Sequence, residues 1–300
     1  MTFEEGTQAA WLYDLIRPHV AQVVVCDGRQ IAAQDNKADK TDAKRLAELL
    51  RTNGLKAIYH GEHGTQALKE LARSYGSIVQ DGTRVKNRLK GLFRGRGIAC
   101  CGTSVYSEEG RDQWLKRLDH AALQVRICRL WKELDFLRQL RQEAEKDLMA
   151  EARKHWEIKI LRSIPGIGRL RAAVILGFTI TPYRFRTRKQ FWNYCGLGLR
   201  SKITAEYAFV QGRVCRSKKR ALVRGLNPNY NRVLKEAFKG AAVTAAKGPW
   251  KSHFDAMVRN GTRESLALVT LARKIAVIAL VLWKKGERYD ENKVKFVHAA

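Results

Sequence analysis

The spacing of apolar residues in the first part of the chain predicts alternating helices and strands. Leu46, Leu49 and Leu50 recur at helical spacing and predict a helix that begins near Asp39. The β-branched run at residues 21–26 (AQVVVC) is typical of a buried strand. A helix, a strand, a loop and a second helix in this order indicate an α/β domain.

The middle of the chain predicts a long helix. From about Asp112 to Leu161 the sequence has no proline or glycine. Its apolar positions alternate between spacings of three and four, with a break at Arg141, and they are Leu123, Ile127, Leu130, Leu134, Leu137, Ala144 and Leu148. This pattern favours coiled-coil packing, either against a second copy of the chain or within the same chain.

The last third of the chain predicts further helices and a hairpin. Helices are expected at residues 231–246 and 262–283, and a hairpin at residues 207–215. The longest apolar run, Ile275–Trp283, is too short to cross a bilayer and indicates a buried helix. The sequence shows no signal peptide, and it therefore predicts a cytoplasmic protein with no membrane contact.

Asp39 and Asp42 stand three residues apart at the start of a predicted helix, which puts both carboxylates on one helix face. Such a pair can share Mg²⁺ or Mn²⁺, because these hard cations take oxygen ligands. Aspartate at a helix start also serves as a cap, and the residues alone favour that interpretation. Glu4 or Glu5, at the end of a predicted strand, could add a ligand or could be solvated surface residues.

The charge of the chain predicts a polyanionic partner. With 57 Lys and Arg against 29 Asp and Glu, the formal net charge is +28, and DNA or RNA is the expected partner. Residues 1–80 are neutral, with 10 basic and 10 acidic side chains, whereas residues 161–240 hold 18 basic and 2 acidic side chains. The carboxylates and the phosphate-binding surface therefore belong to different segments.

Metal and disulfide chemistry based on cysteine or histidine is not indicated. The six cysteines form no CxxC pair, which argues against a zinc site or a disulfide framework. His60 and His63 stand three apart with no third ligand nearby, and they are interpreted as exposed loop histidines.

Residues 161–177 (LRSIPGIGRLRAAVILG) predict two helices joined by a tight turn. Gly166 and Gly168 allow the turn and could leave the amides of a helix start free to bind phosphate. Arg162, Arg169 and Arg171 surround it with positive charge. The sequence thus predicts a helix-hairpin-helix contact to the DNA backbone, and the alternative is a packing turn between helices.

Further basic segments predict nucleic-acid contacts. Residues 183–194 (YRFRTRKQFWNY) interleave aromatic residues with cations, which suits backbone contact and base stacking. The cations of this segment are Arg184, Arg186, Arg188 and Lys189, and Phe191 and Trp192 are expected in the core. A second basic cluster consists of Arg216, Lys218, Lys219 and Arg220. The basic amphipathic helix at residues 84–96 suits either a phosphate backbone or solvent.

The order of these features resembles the insertion sequence 110 transposases. The resemblance runs over almost the whole chain. The segments that carry it include FEEGTQAAWLYDL, VVVCDGRQ, KADKTDAKRLAELL, RVKNRLKGLF, LRSIPGIGRLRAAVILGF, RFRTRKQFWNYCGL and RGLNPNYNRVLKEAFKGAA. It implies a RuvC-like, ribonuclease-H-like domain in which four acidic residues (DEDD) hold two divalent cations at the cleaved phosphodiester.

The resemblance also implies roles for single residues. Glu4 is similar to the family's Glu, and Asp39 and Asp42 to its last two Asp. The family's first Asp lies on a strand upstream of the Glu, so we expect it ahead of Met1. A hydroxyl nucleophile is expected at Thr204, with Ser201 as the nearest serine. Members are similar in using an RNA transcribed from the element, which implies a guide RNA partner.

Together these features predict a mixed architecture and a mobile-element enzyme. The expected parts are an incomplete RuvC-like α/β domain at 1–78, a helical connector at 79–158, a mostly helical DNA-handling domain at 159–285 and a polar tail at 286–300. The expected function is DNA cleavage and strand exchange of an insertion sequence by a homo-oligomer. The alternatives are a non-catalytic DNA-binding remnant and a junction-resolving nuclease.

Overall fold

The computed structural model describes residues 1–28, 39–55, 57–60, 64–202, 207–210, 213–216 and 222–293. Contacts between residues divide the chain into two compact units, Met1–His63 and Gly64–Ala300. The domain boundaries drawn from the sequence stay a prediction.

The first unit contains a small mixed sheet. Its strands are β1 (Thr2–Glu4), β2 (Val24–Cys26) and β3 (Ala57–Ile58), in the order β1-β2-β3. β1 and β2 are parallel, with Glu4 beside Cys26, and β3 is antiparallel to β2. Val25 and Cys26 are buried, which confirms the strand predicted from the β-branched run. Because β1 and β2 are parallel, both strands end at the same edge of the sheet.

Two helices complete the first unit. α1 spans Ala9–Ile16 and is followed by a 3-10 turn that contains Pro18, and α2 spans Asp39–Arg51. α2 confirms the helix predicted from the leucine spacing. Leu46 of α2 packs on Cys26, with Leu55 beside them. This contact fixes α2 next to the carboxyl end of β2.

The described part of the second unit is mostly helical. Its helices are α3 (Gln66–Arg94), α4 (Arg111–Leu115), α5 (Ala121–Ala152), α6 (Glu157–Ser163), α7 (Arg169–Thr179), α8 (Arg188–Tyr194), α9 (Arg232–Ala246), α10 (Lys251–Arg259) and α11 (Glu264–Lys285). Its strands form two pairs, β4 (Leu199–Lys202) with β7 (Leu222–Leu226) and β5 (Tyr207–Val210) with β6 (Arg213–Arg216). The antiparallel β5–β6 pair confirms the predicted hairpin, whose residues 211–212 lie outside the described part.

The apolar seam of α5 packs within the chain, against α3. Leu89 and Phe93 of α3 and Ile127, Trp131 and Leu134 of α5 are buried in one cluster. The Trp131 indole Nε1 donates a hydrogen bond to the carbonyl oxygen of Val105 at 2.8 Å. Of the two packings that the sequence left open, the structure therefore shows the one within the chain.

The prediction of one helix from Asp112 to Leu161 is wrong. The chain leaves the helical path after Leu115 and again after Ala152, so that α4, α5 and α6 are separate helices. His120 has a non-helical backbone, and its ring Nδ1 accepts a hydrogen bond from the Leu123 backbone N–H at 3.3 Å. This side-chain cap starts α5, and a histidine is not a residue from which a cap is ordinarily predicted.

The larger core of the second unit lies among α6, α7, α9 and α11. Its helices approach closely because their facing residues are small: Ala172, Ala173, Ala241, Ala242, Ala245 and Ala276 are all fully buried. α11 has the length and mean hydropathy of a membrane-spanning helix. Eight of its side chains, from Ala267 to Trp283, are buried inside this unit, which confirms the predicted core helix.

The mixed and mainly helical architecture expected from the sequence is confirmed. The three-stranded sheet with α1 and α2 is too small to identify a RuvC-like fold, which stays a prediction.

A half-buried ion pair joins α4 to α5. Both terminal nitrogens of Arg111 donate to Asp135 at 2.6 Å, and Arg138 donates to the same carboxylate at 3.0 Å. These hydrogen bonds, with the one from Arg111 as the main cause, hold the pKa of Asp135 below its ordinary value of 3.8. Because the folded-state pKa is lowered, the pair stabilises the fold above the unfolded-state pKa and loses this effect as the pH falls through the folded-state pKa.

We expect Asp135→Asn to lower the free energy of unfolding by about 1–3 kcal/mol at neutral pH, because a bidentate charged hydrogen bond is lost. The difference from the parent chain should shrink as the pH falls below 3.8, the ordinary aspartate value. Urea unfolding at several pH values measures this. Asp81→Asn, in an exposed pair with Arg84, is the control and should have little effect at any pH. A pH-independent loss in Asp135→Asn would contradict the assignment.

Candidate carboxylate site and nucleic-acid interface

Two carboxylates lie at the edge of the sheet where β1 and β2 end. Glu4 is the last residue of β1, and Asp27 directly follows β2. Burial raises the pKa of the Cys26 thiol, and the negative charges of Glu4 and Asp27 raise it further. The thiol therefore stays protonated in the small core, and both carboxylates lie close to it.

Gly28 leaves room for the Glu4 carboxylate. A Cβ atom at position 28 would lie 2.9 Å from Glu4 Oε2. The Glu4 carboxylate thus lies over the backbone of the turn that follows β2. This contact places the family-implied Glu at the edge where parallel strands of α/β folds carry their chemistry.

The α2 helix, which contains the two predicted aspartate positions, packs on the sheet of the first unit. α2 packs against β1, and Leu46 faces Cys26. Asp42 is half-buried and lies one turn before Leu46 on the same face, and Asp39 is the first residue of the helix. The one-face spacing predicted for positions 39 and 42 is confirmed by the helix, whereas their role as ligands stays a prediction.

The donor chemistry of these positions suits a hard divalent cation, because Glu and Asp supply only oxygen ligands. Among the described residues, no three His, Cys, Asp or Glu side chains lie close enough together to hold a metal ion. β1 and α2, which contain the candidate ligands, therefore lie in contact, but the described residues do not form a complete set of metal ligands.

The interpretation of His60 as an exposed loop histidine is wrong. Its side chain is only 14% exposed, and its Nε2 lies 2.7 Å from Glu5 Oε2. The ring also stacks on Tyr13, with centroids 5.2 Å apart. The pair joins residues 55 positions apart, and no local sequence signal could have indicated it. His63 lies outside the described residues.

The turn between α6 and α7 (residues 164–168) contains two glycines with different surroundings. Gly166 has φ +84°, and a Cβ there would lie 2.1 Å from the carbonyl oxygen of Ala241 in α9. Gly168 caps α7 with φ −78°, and a Cβ there would meet open space. Gly166 is therefore required for packing against α9, in agreement with the packing-turn alternative. Phosphate binding by the amides of the turn stays a prediction.

The three arginines around this turn differ in their contacts. Arg171 is half-buried, and its Nη1 donates to the Gly166 carbonyl oxygen at 3.0 Å and to Thr244 Oγ1 at 3.1 Å. Arg171 thus ties the turn to α9, a structural role that sequence reasoning missed. Arg162 and Arg169 are exposed beside it and can reach a phosphate.

The aromatic residues at 183–194 divide between core and surface. Phe191 is buried, as predicted, with Phe185 and Phe238 within 6 Å of its ring. Trp192 is half-buried against the same core, and its Nε1 donates to the Arg273 carbonyl oxygen at 3.0 Å. Tyr183 is 70% exposed. The segment is therefore anchored by its aromatic residues and does not present them as one stacking surface.

The cations of this segment also differ. Arg184 is half-buried, with its guanidinium 4.7 Å from the ring centroid of Tyr194. Arg186, Arg188 and Lys189 are exposed around the start of α8, whose cap is formed by Thr187 and Gln190. Arg186, Arg188 and Lys189 form a basic surface that suits a phosphate backbone.

The β4–β7 region holds the remaining candidates. Ser201 is in β4, and Arg216 ends β6. Thr204, Lys218, Lys219 and Arg220 lie outside the described residues. The carbonyl oxygen of Leu197, just before β4, accepts a hydrogen bond from Arg273 Nε at 2.6 Å. This contact anchors the start of β4 to α11.

The basic helix predicted at residues 84–96 is the C-terminal half of α3. Several of its cations contact neighbours within the unit: Arg84 pairs with Asp81, Arg88 with Glu133, and Lys90 donates to the Gly102 carbonyl oxygen. Arg84 and Arg88 stay more than half exposed in these pairs, so both the phosphate backbone and solvent remain open as partners of this surface.

Comparisons with known proteins agree in both halves of the chain. A family model for DEDD transposases of the IS110 type matches residues 2–96. A second model, described as transposase IS116/IS110/IS902 family, matches residues 158–255. The two matches together cover more than half of the chain.

A relative from Sinorhizobium fredii (strain NBRC 101917 / NGR234), the proposed transposase y4qE, is 24% identical over 213 residues. The alignment covers 68% of this chain and 51% of the relative. The chain thus spans about half the length of this curated relative.

We expect Gly166→Ala to lower the free energy of unfolding by about 3 kcal/mol, since a side chain at positive φ is strained and the added carbon meets α9. Thermal unfolding followed by circular dichroism measures the change. Gly168→Ala is the matched control, because its Cβ meets open space. Equal melting temperatures for the two variants would contradict the assigned role of Gly166.

Proposed function

Because the chain belongs to the IS110 family of transposases, we propose that it cuts and rejoins DNA at the ends of an insertion sequence. Glu4, Asp39 and Asp42 would hold Mg²⁺ or Mn²⁺, and the basic surfaces of the second unit would hold DNA. The main observation behind this proposal is that α2 packs against β1. These two elements contain Asp42 and Glu4, respectively.

The division of labour between the two units supports this proposal. A cation bound at the carboxylates would supply Lewis-acid stabilisation of the charge that develops on a cleaved phosphodiester. Arg162, Arg169, Arg186, Arg188 and Lys189 are exposed and would neutralise phosphates along the DNA. The candidate carboxylates belong to the first unit and the exposed cations to the second, so each unit would contribute one of the two tasks.

A hydroxyl group of the second unit would act on the DNA itself. The proposed nucleophile is Thr204, or Ser201 in β4. Its oxygen would form an ester with phosphorus while the bond to the sugar oxygen breaks and the sugar leaves as a hydroxyl. Attack by a second sugar hydroxyl on this phosphorus would later form a new sugar–phosphate bond, break the bond to the protein oxygen and return the proton to that oxygen. The bond from Arg273 to the Leu197 carbonyl oxygen would position the start of β4 for this role.

Further partners and the cellular location extend this proposal. The family resemblance supports a guide RNA, for which the charge of +28 leaves ample basic surface. A homo-oligomer would bring two DNA ends together for exchange. We place this activity in the bacterial cytoplasm, at the nucleoid.

A non-catalytic DNA-binding protein is the second candidate. It is favoured by the exposed cations of the second unit, which can bind a phosphate backbone with or without a metal site. Such a protein would keep the salt-dependent DNA affinity and would show no strand transfer.

We expect Asp39→Asn with Asp42→Asn to lower Mg²⁺-dependent strand transfer by about 10²-fold or more, because ligands for the stabilising charge are lost. DNA affinity should stay unchanged, and Mn²⁺ binding measured by calorimetry should weaken. Asp14→Asn is the control, since Asp14 is an exposed carboxylate of α1 in the same unit. If the double variant transfers strands like the parent, the carboxylates are not the catalytic ligands.

We expect Arg162→Ala with Arg169→Ala to weaken binding to any DNA sequence and to reduce the salt slope of log K by about 2, roughly one per lost phosphate contact. Fluorescence anisotropy at several salt concentrations measures both. Lys154→Ala removes a cation that is paired with Glu151 and should leave the slope unchanged. An unchanged slope in the double variant would place the phosphates elsewhere.

A further inference from the structure

A groove of about 680 Å³, termed the α3/α9 groove, opens between α3, α5 and the first turns of α7 and α9. Grooves of this size hold small organic groups with most of their surface covered. All of its walls belong to the second unit, and Gly168 and Arg169 of the turn region form part of its border. The groove therefore adjoins the exposed arginines that the proposed function assigns to phosphate.

The floor of the groove is apolar. Ala72 and Ala237 are buried, and Met149 and Val174 are half-buried beside them. Gly76 forms a wall of α3, and a Cβ there would meet nothing within 4 Å. The missing side chain keeps the groove open, so a ligand with apolar faces can enter it.

The border of the groove is polar and carries both signs of charge. Arg169, Glu145, Glu236 and Gln80 lie around the apolar floor. An aliphatic side chain would leave these groups unused, and the apolar floor offers a phosphate no hydrogen-bond donor. A nucleobase has apolar faces and a hydrogen-bonding edge, and it matches both floor and border.

An aromatic ring stands at the groove. Tyr75 lines it and is half-buried. Arg141 Nε donates to the Tyr75 hydroxyl at 3.2 Å, and the Arg141 guanidinium lies 5.8 Å from the ring centroid. The ring is thus held in place, as a surface for base stacking requires.

We propose that the α3/α9 groove binds one unpaired nucleotide of the bound nucleic acid, with the base against Tyr75 and its phosphate at Arg169. This proposal rests on the proposed nucleic-acid function. Glu145 and Glu236 accept hydrogen bonds, so a base with an amino group is preferred over thymine or uracil. The same chemistry serves an unpaired nucleotide of DNA or of RNA.

The test compares the affinity of the full chain for a fully paired DNA duplex and for the same duplex with one bulged adenine. We expect roughly tenfold tighter binding of the bulged duplex, the scale of one base stacked on an aromatic ring. A bulged thymine should gain less. A parallel arm uses an RNA duplex with a bulged adenine; preference in one arm or in both identifies the source of the nucleotide.

Two pairs of variants separate the groove from the rest of the surface. Gly76→Leu should fill the groove and abolish the preference for the bulge, whereas Gly76→Ala adds one carbon in open space and should keep it. Tyr75→Leu should abolish most of the preference, whereas Tyr75→Phe, which keeps the ring and loses only the hydrogen bond from Arg141, should lower it less. Melting temperatures confirm that each variant is folded.

The outcomes separate this proposal from the proposed function. No salt-dependent binding of the paired duplex would overturn both. Normal binding of the paired duplex with no bulge preference, or a bulge preference that survives Gly76→Leu, would overturn the groove assignment alone. If Gly76→Leu alters the molecular mass measured by light scattering and leaves the preference for the bulge unchanged, the groove is a contact between copies of the chain. That result would overturn the groove assignment.

Discussion

The apolar stripe of α3 is the constraint on which the second unit depends. Leu68 and Ala72, near its start, are buried in the larger core with α7, whereas Leu89 and Phe93, near its end, are buried in the cluster with α5. One helix of 29 residues, roughly 44 Å long, therefore belongs to two cores. Because α3 packs in both cores, it links α5 and the C-terminal helices within one compact unit. The same helix forms one wall of the α3/α9 groove.

In the first unit, a few contacts hold the elements that contain the candidate carboxylates beside one another. Parallel pairing puts Glu4 beside Cys26, and the packing of Leu46 on Cys26 sets α2 next to them. The position of Asp42 then follows from helix geometry, one turn before Leu46. The segment around these carboxylates is neutral overall, because its 10 basic side chains balance its 10 acidic ones.

Several residues that resemble ligand-binding groups in the sequence have structural roles in the fold. Gly166 admits the Ala241 carbonyl of α9, and Arg171 bonds to the same turn. Arg184 lies against the ring of Tyr194. Phosphate binding in the second unit is therefore proposed for a smaller set of cations than the sequence indicates, those that are exposed. The packed residues hold the exposed cations in place.

The sequence by itself determined the elements whose signals are local. Leucine spacing predicted α2, the β-branched run predicted β2, and the apolar positions of α11 predicted a core helix, because each pattern is set by residues within a few turns of one another. The order of motifs also identified the family. Only the tertiary structure decided where α5 begins and ends, that His60 meets Glu5, and that Asp135 is shared by Arg111 and Arg138. Most of these features depend on side chains brought together from distant positions, and the start of α5 depends on an unusual cap. Neither the long-range contacts nor this cap can be predicted from local periodicity.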